Sequence, residues 1–178
     1  MKKIGVLLVL ILCCGVVCAQ QTSLKICGIS MSQSASTFKA QLVAKGFSLM
    51  QGRTDDKAYR GTFAGYQCSL FVNPYEETAS DFVHSVEIGL STNSGISTHE
   101  RFRELEIIYR AKYGECKRNV WYDSNNSLYE KEELIWNFSY GYIKISYEKI
   151  GFDGSLSVFY CDYTNVKKNG SKFGLNDI

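Results

Sequence analysis

At 178 residues, 45% of them hydrophobic and 21% charged, the chain is long enough to bury one sizeable core without a metal or a cofactor. Its 20 Lys and Arg against 18 Asp and Glu give a formal net charge of +2, with no basic excess for gripping nucleic acid or an anionic membrane. Two histidines exclude a histidine-rich metal centre, and a single proline with evenly spread glycines marks no interdomain linker.

Residues 1–19 have the three parts of a secretory signal. Lys2 and Lys3 form a short basic start, Ile4 to Val17 is an almost unbroken apolar run, and Val17-Cys18-Ala19 ends it with a small residue, which predicts cleavage after Ala19. The run is too short to span a bilayer comfortably, and no later stretch is apolar enough to cross one, so no transmembrane segment is expected in the mature chain. A bacterial lipid anchor on Cys13, Cys14 or Cys18 needs a small residue just before the cysteine. Leu12, Cys13 and Val17 fit that need poorly, so the free exported form is the expectation. The Met-Lys-Lys start and the brief apolar run have a bacterial look, which sends the product to the periplasm or the extracellular medium. Cleavage removes two lysines and no acidic residue, leaving Gln20 to Ile178 close to neutral.

Two helices are predicted in the remainder. The first spans about Ala35 to Lys45, capped by Ser34, with Phe38 and Leu42 on one face and Gly46 as its left-handed stop. Short strands follow at Phe47 to Met50, Tyr59 to Phe63 and Gln67 to Val72, separated by turns at Thr54-Asp55-Asp56-Lys57 and Ala64-Gly65, with Asn73-Pro74 breaking the last. Phe82 to Leu90 alternates cleanly, with Val86, Ile88 and Leu90 on one side. The second helix spans Thr98 to Tyr113, opened by a Ser97/Glu100 capping box and closed by Gly114, with Phe102, Leu105, Ile108, Tyr109 and Tyr113 as its apolar stripe. Strands are then expected at Lys117 to Tyr122, Glu133 to Phe138, Tyr142 to Ile150 and Leu156 to Tyr163, with Asp153-Gly154 turning between the last two. Residues 164–178 read as a flexible polar tail.

This order predicts an α+β fold: one domain over 20–163, an antiparallel sheet with two helices on one face. It reads as a tandem helix-plus-four-strand repeat over 26–92 and 97–163, with Phe63-Ala-Gly-Tyr66 and Phe138-Ser-Tyr-Gly-Tyr142 as equivalent turns and Gly46 and Gly114 as equivalent caps. The other sheet face would be open. Four cysteines remain after cleavage, Cys27, Cys68, Cys116 and Cys161. An even count in an oxidising compartment predicts disulfides, with three connectivities open, while the wide spacing offers neither a redox motif nor a zinc knuckle. The alternative is that some are buried free thiols, packing as small apolar groups.

Ile26-Cys-Gly-Ile-Ser-Met31, the capped helix ending Lys45-Gly46-Phe47, Gly61-Thr-Phe-Ala-Gly-Tyr66, and Gly89-Leu90 with the helix to Lys112-Tyr113-Gly114-Glu115 together resemble a set of uncharacterised small exported proteins of gut bacteria. Architecturally, Gly28-Ile-Ser-Met31 before a capped helix and four strands is similar to the opening of the β-lactamase-inhibitor-protein fold. The second half has no counterpart of that opening before Ser97. The likeness implies a secreted protein-binding module.

Catalytic signatures are absent. No G-x-S-x-G, S-x-x-K, HExxH or Walker sequence occurs. His84 reads as a partly buried histidine near a strand end and His99 as an exposed residue of the second helix's first turn. Four cysteines and two histidines permit a thiol protease in principle, with no local signature for one. The neighbouring carboxylates Asp55-Asp56, Glu76-Glu77 and Glu132-Glu133 read as solvated or as pointing to opposite strand faces, not as a glycosidase pair. Glu130, Glu132 and Glu133 lack the grammar of a calcium loop. The basic residues Arg101, Arg103, Arg110, Lys112, Lys117 and Arg118, interleaved with Glu100, Glu104, Glu106 and Glu115, read as a solvated helix face with local ion pairs, not as a phosphate-binding stripe. No cofactor, metal or nucleic acid is therefore expected.

The surplus is aromatic: 12 Tyr, 10 Phe and 2 Trp, most of which the preference of such residues for strands explains. Strand alternation turns Phe71, Tyr142 and Lys144 away from the helices, and Trp121, Tyr122 and Tyr140 sit near strand ends. These six form the expected binding surface. The leading expectation is an exported, non-catalytic module that docks a protein on its open sheet face. The alternatives are a glycan-binding protein stacking sugars on Trp121, Tyr122 or Tyr140, an unfamiliar hydrolase, or a structural envelope component.

Overall fold

The computed structural model describes residues 23–51, 57–74, 82–91, 97–123 and 126–164. The expected signal segment, the turn residues 54–56 and the tail beyond 164 lie outside the described residues. Strands β1 (Lys25–Ile26) and β2 (Ile29–Ser30) form a small hairpin, turned by Cys27 and Gly28 at positive φ. Helix α1 (Ala35–Ala44) follows, then β3 (Ser48–Leu49), β4 (Ala58–Phe63), β5 (Tyr66–Pro74) and β6 (Val83–Leu90). Helix α2 (Thr98–Tyr113) precedes β7 (Lys117–Asp123), β8 (Asn126–Phe138), β9 (Gly141–Ile150) and β10 (Asp153–Asp162). The chain is α+β, as its patterning predicts.

Strands β3 to β10 make one antiparallel sheet in the order β3-β4-β5-β6-β10-β9-β8-β7. Each helix is thus followed by a four-stranded meander, and the meanders join through the last strand of each. The β4–β5 turn at Ala64-Gly65 and the β8–β9 turn at Ser139-Tyr140 occupy matching places, between second and third strands.

Strand alternation builds the core. Leu70, Val72, Val86, Ile88, Ile143, Ile145 and Val158 are fully buried on one face. Phe38 and Leu42 of α1 and Phe102, Leu105 and Tyr109 of α2 join them in a single apolar cluster, so both helices cover the same face. The β1–β2 hairpin adds Leu24, Ile26 and Ile29 to that cluster. It is tied to β10 by the Leu24 amide, which donates to the buried Asp162 carboxylate at 2.7 Å.

Ser34 caps α1 by accepting from the Thr37 amide, and the Ser97/Glu100 box opens α2. The expected stripe of α2 is wrong at one position: Ile108 is half exposed, while Arg101 and Glu106 are buried. Arg118 from the sheet draws Glu106 inward, while Arg101 donates to the Ser91 carbonyl and lies over the Tyr66 ring. Three boundaries also differ. Pro74 stays paired at the end of β5, opposite Val83, through a register shift. Strand β8 begins at Asn126, well before the expected Glu133. The last hairpin turns at Gly151-Phe152, where Gly151 supplies φ 66°, and Asp153 already pairs with Ile150.

Candidate functional site

The face of the sheet turned away from both helices carries a continuous row of cross-strand neighbours. Phe71 lies opposite Glu87, Glu87 opposite Phe159, Phe159 opposite Lys144, Lys144 opposite Ile135, and Ile135 opposite Lys117. Six strands thus contribute one side chain each. Tyr142, one pair further along β9, holds its ring 5.7 Å from Phe159 and 6.2 Å from Tyr163. Phe71, Phe159, Tyr142 and Lys144 are all partly exposed. On the other side of the row, Ser69, Gly89, Ser157 and Ser146 lie opposite one another and keep the surface shallow.

The polar groups of this face are internally balanced. Lys144 and Lys131 reach Glu133 at 3.5 and 3.2 Å, and the Ser146 hydroxyl donates to the same carboxylate at 3.4 Å. Burial, reinforced by the neighbouring Cys161, Tyr163 and Glu133, pushes the Tyr142 phenol up to about 12, so it remains a hydrogen-bond donor at neutral pH. A surface of this kind offers apolar area with a few fixed polar groups, which suits recognition and contains no activated nucleophile.

The predicted surface residues divide. Phe71, Tyr142 and Lys144 come together as expected. Trp121 shares their face at the far edge, on β7 opposite Lys131, whose ammonium sits 5.4 Å from its ring centre. Tyr122 follows Trp121 on the same strand and so takes the opposite face. Tyr140 lies in the β8–β9 turn, stacked on Phe138 at 5.3 Å and packed against the helix-side core. The expected surface missed Phe159 and Tyr163, although the alternation Leu156, Val158, Tyr160 marks Phe159 as outward.

The disulfide expectation is corrected: all four cysteines are free thiols. Cys27 and Cys68 pack on the helix-side core with Cys116, whereas Cys161 pairs in register with Ser85 and Tyr142 on the open face. Burial pushes Cys68 and Cys161 up to about 11, so both behave as small apolar groups.

Two clusters invite a chemical reading. Cys161 Sγ lies 3.8 Å from His84 Nε2, a pairing that no sequence motif announces. A thiol nucleophile needs exposure and a depressed pKa. Cys161 is 4% exposed and its thiol is raised, while burial lowers the His84 pKa against the opposing charge of Asp162. The pair holds a neutral thiol beside a neutral imidazole. On the helix side, Glu106 of α2 and Glu132 of β8 are buried and shared among three arginines. Arg103, Arg110 and Arg118 all bind Glu106, and Arg103 and Arg118 also bind Glu132. The local ion pairs expected on this helix form, with Arg103 and Arg110 still partly exposed, but they are not purely local: Arg118 reaches across from β7 and closes the cluster on the buried Glu106 and Glu132. His99, Glu130 and Glu132 present ligand atoms within 4.8 Å of one another. Both Glu132 oxygens are already engaged, Oε1 with His99 and Arg103 and Oε2 with Arg118, so a cation would compete with two guanidinium groups. Among the described residues no helix is long and apolar enough to cross a membrane.

No protein-family model, curated protein or solved structure matches the chain.

Proposed function

We propose that the chain is an exported, non-catalytic binding module that docks a protein partner on the open face of its sheet. The observation that carries this reading is the row Phe71–Glu87–Phe159–Lys144–Ile135, with Tyr142 beside it, on the face that neither helix covers. Partly exposed aromatic rings at the centre of a patch are the groups that contribute most to protein–protein affinity. Glu87 offsets Lys144 between the rings and leaves the row, with Lys117, a single excess positive charge, which favours a mixed protein surface over a polyanion. Export rests on the basic, apolar and small-residue order of residues 1–19. The likeness of Gly28-Ile-Ser-Met31 to the opening of the β-lactamase-inhibitor-protein fold points toward the same class of protein. Glycan stacking finds less support, because Trp121 and Tyr122 take opposite faces and Tyr140 is stacked on Phe138.

The test is parallel affinity capture with the wild-type chain and the Phe71→Ala/Tyr142→Ala double variant, from the envelope and culture medium of its own cells. A stoichiometric protein held by the wild type and weakened roughly tenfold or more by the double variant is the expected result. Equal retention by a double variant of unchanged melting temperature sinks the reading. So does retention of glycans alone.

A further inference from the structure

The charged groups of the open face are unevenly partnered. Glu133 holds Lys131 and Lys144, at 3.2 and 3.5 Å. Glu87 is exposed and forms no ion pair with any described residue. Its cross-strand neighbours are Phe71 on β5 and Phe159 on β10, so a phenyl ring stands on either side of the carboxylate. With adjacent strands about 4.8 Å apart, the two rings rise from the sheet about 10 Å apart at their bases, which leaves width for one flat group above Glu87. The Tyr142 ring, 5.7 Å from that of Phe159, extends the aromatic wall. The same face shows what such a setting holds. The Lys131 ammonium lies 5.4 Å from the Trp121 ring centre and 3.2 Å from a Glu133 oxygen, a cation held between a ring and a carboxylate. Glu87 and its two rings repeat the ring and the carboxylate, and no described cation of the chain forms the ion pair.

We propose that Phe71, Glu87 and Phe159 receive an arginine side chain of the protein partner; the assignment rests on the docking reading above and names what the partner brings to it. A ring face attracts a cation through its quadrupole, and the carboxylate adds the opposite charge and two acceptor oxygens. Arginine suits the place better than lysine. Its planar guanidinium lies flat on a ring while the fork meets a carboxylate, and it is less strongly hydrated than an ammonium. A carboxylate or phosphate in the same place would face Glu87 as a like charge.

The probe is acetyl-Leu-Arg-Leu amide, titrated against the isotopically labelled full chain, as its host processes it, with backbone amide shifts as the readout. A twin peptide carries citrulline, which keeps the planar shape and loses the charge. The arginine peptide is expected to shift the amides of Phe71, Glu87 and Phe159 and to bind about tenfold more tightly than its twin. Glu87→Gln and, separately, Phe159→Leu are expected to remove most of that preference. Glu148→Gln, which neutralises a carboxylate on the same face two strands from Glu87, is expected to leave it in place. Circular dichroism melting checks that each variant is folded. Equal binding of the two peptides, binding by neither, or a preference lost as fully in Glu148→Gln overturns the proposal. Adding Glu87→Gln to the affinity capture separates the arginine from the docking reading. A protein released by Phe71→Ala/Tyr142→Ala but retained by Glu87→Gln leaves docking standing and overturns the arginine. Arginine-selective peptide binding with no captured protein upholds the receptor and counts against protein docking alone.

Discussion

Glu106 shows how a charged residue can belong to the interior. It stands on the inward flank of α2, beside Leu105, and meets Arg103 and Arg110 of its own helix and Arg118 from β7. Burial alone would raise its carboxyl, but hydrogen bonds from Arg118, Arg103 and Arg110 hold it down to about 2, against an ordinary 4.5. A carboxylate held low contributes stability that is complete above its ordinary value and is lost as pH falls through its folded value. The melting temperature is therefore expected to drop between about pH 4.5 and pH 2. Glu106→Gln should cost about 1.5–3 kcal/mol near neutrality, toward the lower end because the guanidinium groups are partly solvated. Its melting curve should converge with the wild type toward pH 2; two parallel curves would remove Glu106 from the acid response. The spacing of Arg103, Glu106 and Arg110 was readable as helical ion pairing. That these groups turn inward was not, because Arg118 and Glu132 reach them only through the tertiary fold.

At the level of elements, the capped helices and the alternating strands are legible because their signals are local: Ser34, the Ser97/Glu100 box, and the Val86-Ile88-Leu90 period. The first half of β8 is not. Its residues Asn126 to Lys131 are polar on balance, and the strand is anchored where Glu130 and Lys131 pair with both β7 and β9, with Tyr129 on β9 and Asn126 on β7 alone. The final turn was misplaced for a related reason: Asp153-Gly154 has turn chemistry, but Gly151 supplies the left-handed backbone two residues earlier. The open-face residues were legible wherever a buried neighbour fixed the phase, as for Phe71 between Leu70 and Val72 and Tyr142 beside Ile143. Tyr140 had no such neighbour in strand geometry and fell to the opposite side. Two strand glycines separate conformational need from mere tolerance. A Cβ on Gly141, at φ 155°, would overlap the Cys161 carbonyl oxygen, whereas one on Gly89 would meet nothing closer than the Ser69 carbonyl oxygen at 3.9 Å. Gly141→Ala should cost about 1–3 kcal/mol in urea unfolding. Gly89→Ala should be neutral or stabilising. Equal losses for the two would refute the close-approach argument.

The whole molecule is two helix-plus-meander halves that share one sheet and one core. Among the described residues the expected order, helix and four strands twice over, is observed behind a β1–β2 hairpin that the sequence reading did not anticipate. What the sequence could not disclose is how the halves meet, because strand pairing between distant segments leaves no periodic trace in either. They meet along β6 and β10, with Val86 opposite Tyr160 and Ile88 opposite Val158. The fourth strand of the first half thus waits for the fourth strand of the second. A chain that emerges from its amino end builds β3 to β6 early and holds the β6 edge, with its buried Val83, Val86 and Ile88, without its neighbour until everything else has been made. Completion of the sheet is in effect a clasp that closes last. A chain ending at Gly151 is expected to aggregate on refolding, with both halves left unzipped. A soluble, cooperatively melting product of that truncation would show that either half can stand without the seam.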